Sequence, residues 1–458
     1  MLQTGESRAT FGSRLGVIFA TVGSAVGLGN IWRFPYMLGS NGGAAFLLIY
    51  LLCALLLGLP VMVAEFFIGR HSKRNAAGSF KVIAPGTKWF VIGYNGVLAA
   101  FLILGFYSVI AGWTLEYVFQ SVSGLSGEKS AADFGVEFSN FSSGIFRPLL
   151  WTFVFIGLTH YIIMTGVKNG IERSSKLLMP VLFIILIILC IRSLTLPGAV
   201  AGIDFLFKPD FGKLNSSVLL SAMGQAFFSL SVGMGCLITY SSYFSDKTNL
   251  QRTAFEVTLI DTLIAVLAGV MIFPAVFNFG IEPTAGVELV FITLPNVFGK
   301  MPLGNLWSCI FFLLLAVAAL TSTISLHEVA TAYLHEEWHI TRKRAALYVS
   351  SGVTVLAVLS SLSFGVMKNF TVFGLTFFDF LDYITAKLML PFGGMLICIL
   401  VGWYIDKRVL KAELTNRGTV LFYFFVSYRF LLKYIVPIAI GLIFLNELGL
   451  INFPTGSS

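Results

Sequence analysis

The chain has 458 residues, 57% hydrophobic and 11% charged, where soluble domains carry roughly 45–50% apolar and 25% charged residues. With a mean hydropathy of +0.88, it has too little charge to coat a water-facing surface, which excludes soluble globular, disordered, collagen-like and coiled-coil classes. The net charge of +8 comes from 30 Lys+Arg against 22 Asp+Glu, and its meaning depends on where those charges fall.

A spanning helix takes roughly 20 apolar residues. Apolar windows bounded by charged or Gly/Pro-rich connections predict eleven spans, over 12–38, 43–70, 88–121, 148–167, 172–195, 216–243, 252–278, 303–336, 343–365, 372–403 and 422–447. The expectation is an all-α integral membrane protein. It comprises a cytoplasmic N-tail 1–11, five helices over 12–195, five more over 216–403, an eleventh span over 422–447 and an external tail 448–458. The first apolar run lacks a small-residue cleavage site and reads as a retained span. With the N-terminus inside, nineteen Lys/Arg fall in cytoplasmic segments and seven outside, which predicts an N-in, C-out chain in the bilayer. The basic balance is therefore mostly topological. No basic face or recognition module supports nucleic-acid binding, and nothing implies an obligate protein partner. Cys53, Cys190, Cys236, Cys309 and Cys398 lie in apolar runs without paired spacing and are expected to be free thiols.

The first and sixth spans are interrupted alike, by Gly23-Ser24-Ala25-Val26-Gly27-Leu28-Gly29-Asn30 and by Ser229-Leu230-Ser231-Val232-Gly233-Met234-Gly235. Each Gly costs a helix about 1 kcal/mol relative to Ala, so both clusters predict unwound backbone, which at mid-membrane depth must line a cavity or be buried in protein. The two breaks open two sets of five helices, and an odd number per set inverts the second against the first. Paired broken helices in corresponding positions point to an inverted-repeat transporter with its site at the midplane. Close helix packing through small residues is the alternative, but it does not require the hydroxyls and amide beside these glycines.

At these residues the chain resembles the neurotransmitter:sodium symporter family, in particular its bacterial LeuT-like amino-acid transporters. The resemblance runs from Arg8 to about residue 440 and is most specific at Gly23 to Pro35 (GSAVGLGNIWRFP), Asn41-Gly42-Gly43 and Glu65 to Arg70. It recurs at Phe227 to Gly235, Ala318 to Thr323 and Leu390 to Gly394, and Gly170 with Pro180 matches a pattern linked to unwinding of the fifth span during inward opening. The implied fold is the LeuT-type 5+5 inverted repeat with discontinuous first and sixth helices, plus one helix. The implied activity is sodium-coupled amino-acid uptake by alternating access in a cell membrane, that of a bacterium.

The resemblance also implies a site. The substrate carboxylate would lie against the amides of Leu28 and Gly29 and the Tyr107 hydroxyl, and the ammonium against carbonyls near Phe228 and Ser231. The side-chain pocket would be Ser24, Ile103, Phe228, Ser231, Met234, Ser322 and Leu326, which carry no charge and suit a hydrophobic or aromatic amino acid. Two sodium sites carry over, one from Ala25, Asn30, Ser229 and Asp261, the other from carbonyls of Gly23, Val26 and Ala318 with hydroxyls of Thr321 and Ser322. Such hydroxyls can also bond back to the preceding turn. Arg33 with Asp382, or with Asp379 three residues away, would close the outer gate. Arg8 with Glu336, covered by Tyr243 and Phe11, would close the inner exit. Glu65 is expected to support the unwound part of the first span.

Asp261 stands where the family more often has asparagine. A carboxylate at this depth costs at least about 2.5–3.5 kcal/mol without a partner, which marks it as functional. Since Ala265 replaces the serine of chloride-binding members, the expectation is chloride-independent transport with Asp261 supplying the negative charge. Two other readings stand beside this one. A non-cycling amino-acid sensor on the same fold would bind without accumulating. His335-Glu336-Glu337-Trp338-His339 satisfies H-E-x-x-H, which on a helix would put two imidazoles on one face for zinc, although no third ligand is evident and an enzyme is not expected.

Overall fold

The computed structural model describes residues 9–124, 131–279, 289–448 and 450. The expected positions of Arg8, of most of the N-tail 1–11 and of the C-tail beyond 450 lie outside them. Among the described residues nine helices are long and apolar enough to cross a membrane: Ala44–Ser72, Phe90–Val122, Phe146–Met164, Val167–Leu194, Leu250–Asn278, Gly304–Glu337, Arg342–Leu362, Phe377–Tyr404 and Phe425–Asn446. Arg14–Ala25 and Gly29–Ser40, bent by 53°, form the broken first span. Helices Ser216–Ser229 and Cys236–Ser241 flank a longer gap and form the sixth. Together these are the eleven predicted spans, in chain order.

Local chemistry sets the ends. Ser13, Asn249, Thr341 and Thr376 each accept a hydrogen bond from a backbone N–H in the first turn of the helix they precede, opening spans one, seven, nine and ten. The tenth span begins later than expected. Residues 371–376 fold instead as a two-stranded hairpin pairing Thr371 with Thr376, turned by Phe373 and Gly374 at positive φ. All five cysteines are free.

The breaks differ in form. In the first span only Val26 and Gly27 leave the helix and Gly23 stays helical, so the interruption is shorter than the glycine cluster. In the sixth, Ser231, Gly233 and Gly235 take φ of 54°, 87° and 77°, and the chain leaves the helix from Leu230 to Gly235. Among the described residues Glu65 hydrogen-bonds to the sixth span and not to the first: its Oε1 accepts from the Gly233 N–H at 2.6 Å. Gly233 offers a backbone donor freed by its left-handed conformation, level with the second span. Spans three and eight pack along each other, with the first half of span one against span eight and spans five and seven beside it.

Contacts sort the connections to two ends. At one end Phe11 meets Tyr243, Gly12 meets Glu172, Arg70 meets Glu413 and Asn75 meets Glu336. At the other, the fully buried Glu116 accepts from Arg147, Trp151 and Gln120, and the Tyr117 hydroxyl donates to the Phe291 carbonyl. The successive spans thus alternate in direction between a Phe11 end and an Arg147 end.

Candidate functional site

The two breaks face each other. The Ser231 hydroxyl donates to the Ser24 carbonyl at 2.8 Å, tying the sixth span's break to the first's. Around that bond lies a small cavity of about 40 Å³, lined by Ser24, Ala25, Gly27, Gly29, Ile103, Tyr107, Phe228, Ser231, Met234, Ser322, Ser325 and Leu326. Every expected pocket side chain is present, and none of the lining residues is charged. Gly27 and Ser325 belong to it as well. A Cβ on Gly27 would lie 2.4 Å from Ser322 Oγ and 2.8 Å from Tyr107 Oη, so the backbone approaches both hydroxyls only because the residue is glycine.

At the pocket's rim the Leu28 N–H donates to the Tyr107 hydroxyl at 2.9 Å. The amide and phenol expected to receive a carboxylate are therefore side by side. The Phe228 carbonyl accepts from the Ser231 N–H at 3.1 Å on the opposite wall.

Beside the pocket lies a buried polar cluster. Asn30 Nδ2 donates to Asp261 Oδ1 at 2.8 Å and to Ser229 Oγ at 3.1 Å, and Ser229 Oγ donates to Asp261 Oδ2 at 2.7 Å. Asn30 Oδ1 accepts from the Gly27 N–H at 3.2 Å, which holds the amide to the break. Asp261 is fully buried and its hydrogen-bond donors are neutral, so its charge has no cation among the described side chains bonded to it. Two neighbours escaped the sequence reading. Tyr50 donates its hydroxyl to Ser229 at 3.2 Å, and Gln225 donates to the Gly29 carbonyl at 3.3 Å. Polar residues inside apolar spans were the signal that could have found them.

A second oxygen cluster lies on the far side of the first break. Thr321 Oγ1 and Ser322 Oγ both donate to the Val26 carbonyl, at 3.3 and 3.1 Å, and Thr321 also bonds back to the Ala318 carbonyl at 2.9 Å. A Cβ on Gly23 would sit 3.2 Å from Thr321 Cβ, placing that turn against the same group. Back-bonding and convergence on the break thus coexist, and oxygen-only donor sets suit a hard cation.

The flanking charges are arranged unevenly. The Arg33 guanidinium lies 4.2 Å from the Phe228 ring centroid, and among the described residues no ion pair joins it to Asp382. Asp379 is exposed and occupied at its helix start, accepting from Thr376 Oγ1 at 2.6 Å. At the Phe11 end, the Phe11 ring packs edge-on to Tyr240 and Tyr243 with centroids 6.0 and 5.9 Å apart. Tyr243 donates its hydroxyl to Glu328 Oε1 at 2.7 Å, and Glu328 is also paired with Arg342. Glu336 accepts from the Asn75 backbone and side chain at 2.9 and 3.1 Å, while the expected partner Arg8 lies outside the described residues. The H-E-x-x-H motif does not form a face. Its helix ends at Glu337, His339 takes a φ of 53°, and His335 Nδ1 lies 2.6 Å from the Ile340 carbonyl oxygen.

Two interrupted helices enclosing an uncharged pocket between two oxygen clusters define a secondary transporter of small solutes with cations. Residues 8–135 and 139–455 match the sequence profile described as the Sodium:neurotransmitter symporter family, and the chain belongs to that family. It is 41% identical over 443 residues to the uncharacterized sodium-dependent transporter YhdH of Bacillus subtilis, covering 96% of this chain and 98% of that one. It is 37% identical over 459 residues to an uncharacterized sodium-dependent transporter of Haemophilus influenzae, covering 98% and 100%. Among solved structures it resembles MhsT in complex with L-phenylalanine, with a TM-score of 0.89 and 46% identity over 96% of this chain and 100% of that one. The fold is the LeuT type, and the protein is a multi-pass, sodium-dependent membrane transporter, as its relatives are, not an enzyme.

Proposed function

We propose that this transporter is a symporter coupling uptake of a hydrophobic or aromatic L-amino acid to sodium at two sites, independently of chloride. The carrying observation is the pocket itself: it has no acid or base to pair a charged substrate side chain, yet presents the Leu28 amide and Tyr107 hydroxyl for a carboxylate. Carbonyls near Phe228 and Ser231 receive the ammonium. Met234 bounds the side-chain region with an adaptable thioether that makes room for a ring. The phenylalanine bound to MhsT supports an aromatic substrate here.

The first sodium lies among the Ala25 carbonyl, Asn30, Ser229 and Asp261, the second among Gly23, Val26, Ala318, Thr321 and Ser322. Two sodium ions and a zwitterion leave an excess of positive charge, which the Asp261 carboxylate reduces without chloride. The Phe11 end faces the cytoplasm, as the distribution of basic residues favours. Arg33 and Asp382 close the outer side once substrate is bound; the engagement of Asp379 with Thr376 makes Asp382 the better partner. At about 100 mV and a tenfold gradient each sodium supplies about 2.3 kcal/mol electrically and about 1.4 chemically. Two ions then sustain a substrate gradient of roughly 10^5.

Uptake in proteoliposomes of radiolabelled Trp, Tyr, Phe, Leu, Met and Ala, with and without sodium and chloride, tests this reading. Sodium-driven accumulation of the larger apolar amino acids, unchanged without chloride, is expected. Sodium-independent uptake, or binding without accumulation, overturns it.

A further inference from the structure

The Phe11 ring is buried against Tyr240 and Tyr243, and the residue after it is held by a group from another span. Glu172, in the first turns of span five, accepts from the Gly12 N–H at 2.7 Å through Oε2 and from Ser13 Oγ at 3.2 Å through Oε1. Lys176 donates to the same Oε1 at 2.6 Å. The Glu172 side chain is only 3% exposed, so these bonds are largely screened from water. The carboxylate therefore sits at the N-terminus of span one's first half, where helix amides are unpaired and the dipole favours an anion.

A glycine makes room for it: a Cβ on Gly16 would lie 2.2 Å from Glu172 Oε1. The segment carrying Glu172 is weakly held along its own axis. Gly166 precedes it with a φ of 97°, residues 167–172 form a widened helical turn, and Pro180 gives no N–H to the Lys176 carbonyl. A second tie near the start of this half-helix, Arg14 to Glu256, has an arginine 58% exposed and contributes little, while the Ser231 hydroxyl holds its far end at the Ser24 carbonyl.

We propose that Glu172 is a positioning residue for transport: its carboxylate latches the first half of span one, and with it the Phe11 plug, so that span five sets whether the exit is closed. Release of the latch frees the half-helix to hinge at Val26 and Gly27, beneath the pocket. The inference rests on the transporter reading but not on the identity of the substrate.

Cys236 supplies a native reporter. It is fully buried at the start of the helix that leads from the pocket to Tyr240. In full-length protein with Cys53, Cys190, Cys309 and Cys398 replaced by alanine, N-ethylmaleimide labelling of Cys236 in sodium is measured without substrate. Glu172→Gln is expected to raise the rate roughly tenfold, the factor that corresponds to about 1.4 kcal/mol. Gly16→Ala, which crowds the carboxylate from span one's side, is expected to do the same, and Glu172→Asp to restore part of the protection. Cys398, fully buried in span ten, is the control in its own single-cysteine background. Unchanged Cys236 labelling in both the Gln and Gly16 variants, or an equal rise at Cys398, overturns the proposal.

Discussion

The Ser231 hydroxyl donates to the Ser24 carbonyl at 2.8 Å, a bond between residues 207 apart in sequence that joins the two places where the chain abandons helix. Ser231 reaches it from a left-handed conformation, φ 54°, which non-glycine residues seldom take. Strain of about 1–3 kcal/mol persists only where the surroundings impose it, and here it aims a hydroxyl across the pocket.

Ser231→Ala removes the bond and leaves the Ser24 carbonyl without that donor. A net loss of about 1 kcal/mol predicts roughly fivefold weaker substrate binding, while Ser231→Gly, which relieves the backbone strain, loses less. Equilibrium binding of labelled substrate in saturating sodium measures both, and equal affinities in the two variants would contradict the argument.

Asp261 is enclosed by Asn30 and Ser229, donors that carry no charge. Asp261→Asn keeps the shape, removes the negative charge and turns one acceptor into a donor, which the Ser229 hydroxyl can accept while the amide oxygen keeps the bond from Asn30 Nδ2. Sodium affinity is expected to fall at least about tenfold, a loss of about 1.4 kcal/mol, and chloride is expected to stimulate uptake in the variant only. Liposome uptake over a sodium series with chloride or gluconate decides it. Full sodium affinity with no chloride effect removes Asp261 from the coupling scheme.

The apolar windows made the eleven spans legible, and the glycine clusters marked where both breaks fall, because each is a property of a short window. Break length was less legible. Gly23 remains helical at a modest penalty, so a count of glycines overstates how far the chain unwinds. Asn30, Ser229 and Asp261 were legible as polar residues in apolar spans, with the family resemblance assigning them to one site. Glu65 was legible as a support but not its target, since which break lies level with span two depends on packing. Glu328 went unread although it is a buried carboxylate in a span. Its partner Arg342 lies across the helix turn at residues 338–341, and its contact with Tyr243 is long-range.

Tyr107 and Gly27 predict a paired result. Tyr107→Phe leaves the Leu28 N–H without its 2.9 Å acceptor, which substrate carboxylate can still satisfy, so affinity falls by about tenfold, in line with about 1–1.5 kcal/mol per bond. Gly27→Ala forces a Cβ within 2.4 Å of Ser322 Oγ and 2.8 Å of Tyr107 Oη, touching the pocket and the second oxygen cluster together. Substrate binding is expected to be lost, and sodium-dependent thermal stabilisation reduced with it. Wild-type affinity in the glycine variant would mean the two hydroxyls do not need this close approach.

The last prediction concerns the connection between spans ten and eleven. Helix Lys407–Leu414 carries Glu413, whose Oε1 accepts from Arg70 Nε at 2.6 Å while its Oε2 lies 3.4 Å from His71 Nδ1. Burial raises the Glu413 carboxyl, but the His71 hydrogen bond and the Arg70 charge outweigh it and hold the group down at about 2. Because the folded value lies below the ordinary one of about 4.3, the ionised group stabilises the fold at neutral pH. That contribution is lost as pH falls from the ordinary value through about 2. Thermal unfolding of detergent-solubilised protein should show wild type more stable than Glu413→Gln at pH 7, with the gap closing as pH falls through this window. Removing Glu413 also leaves the Arg70 guanidinium, 1% exposed, without its ion pair, so the neutral-pH gap exceeds that of a surface pair. A gap that stays constant across the window would show that the carboxylate's charge contributes nothing there.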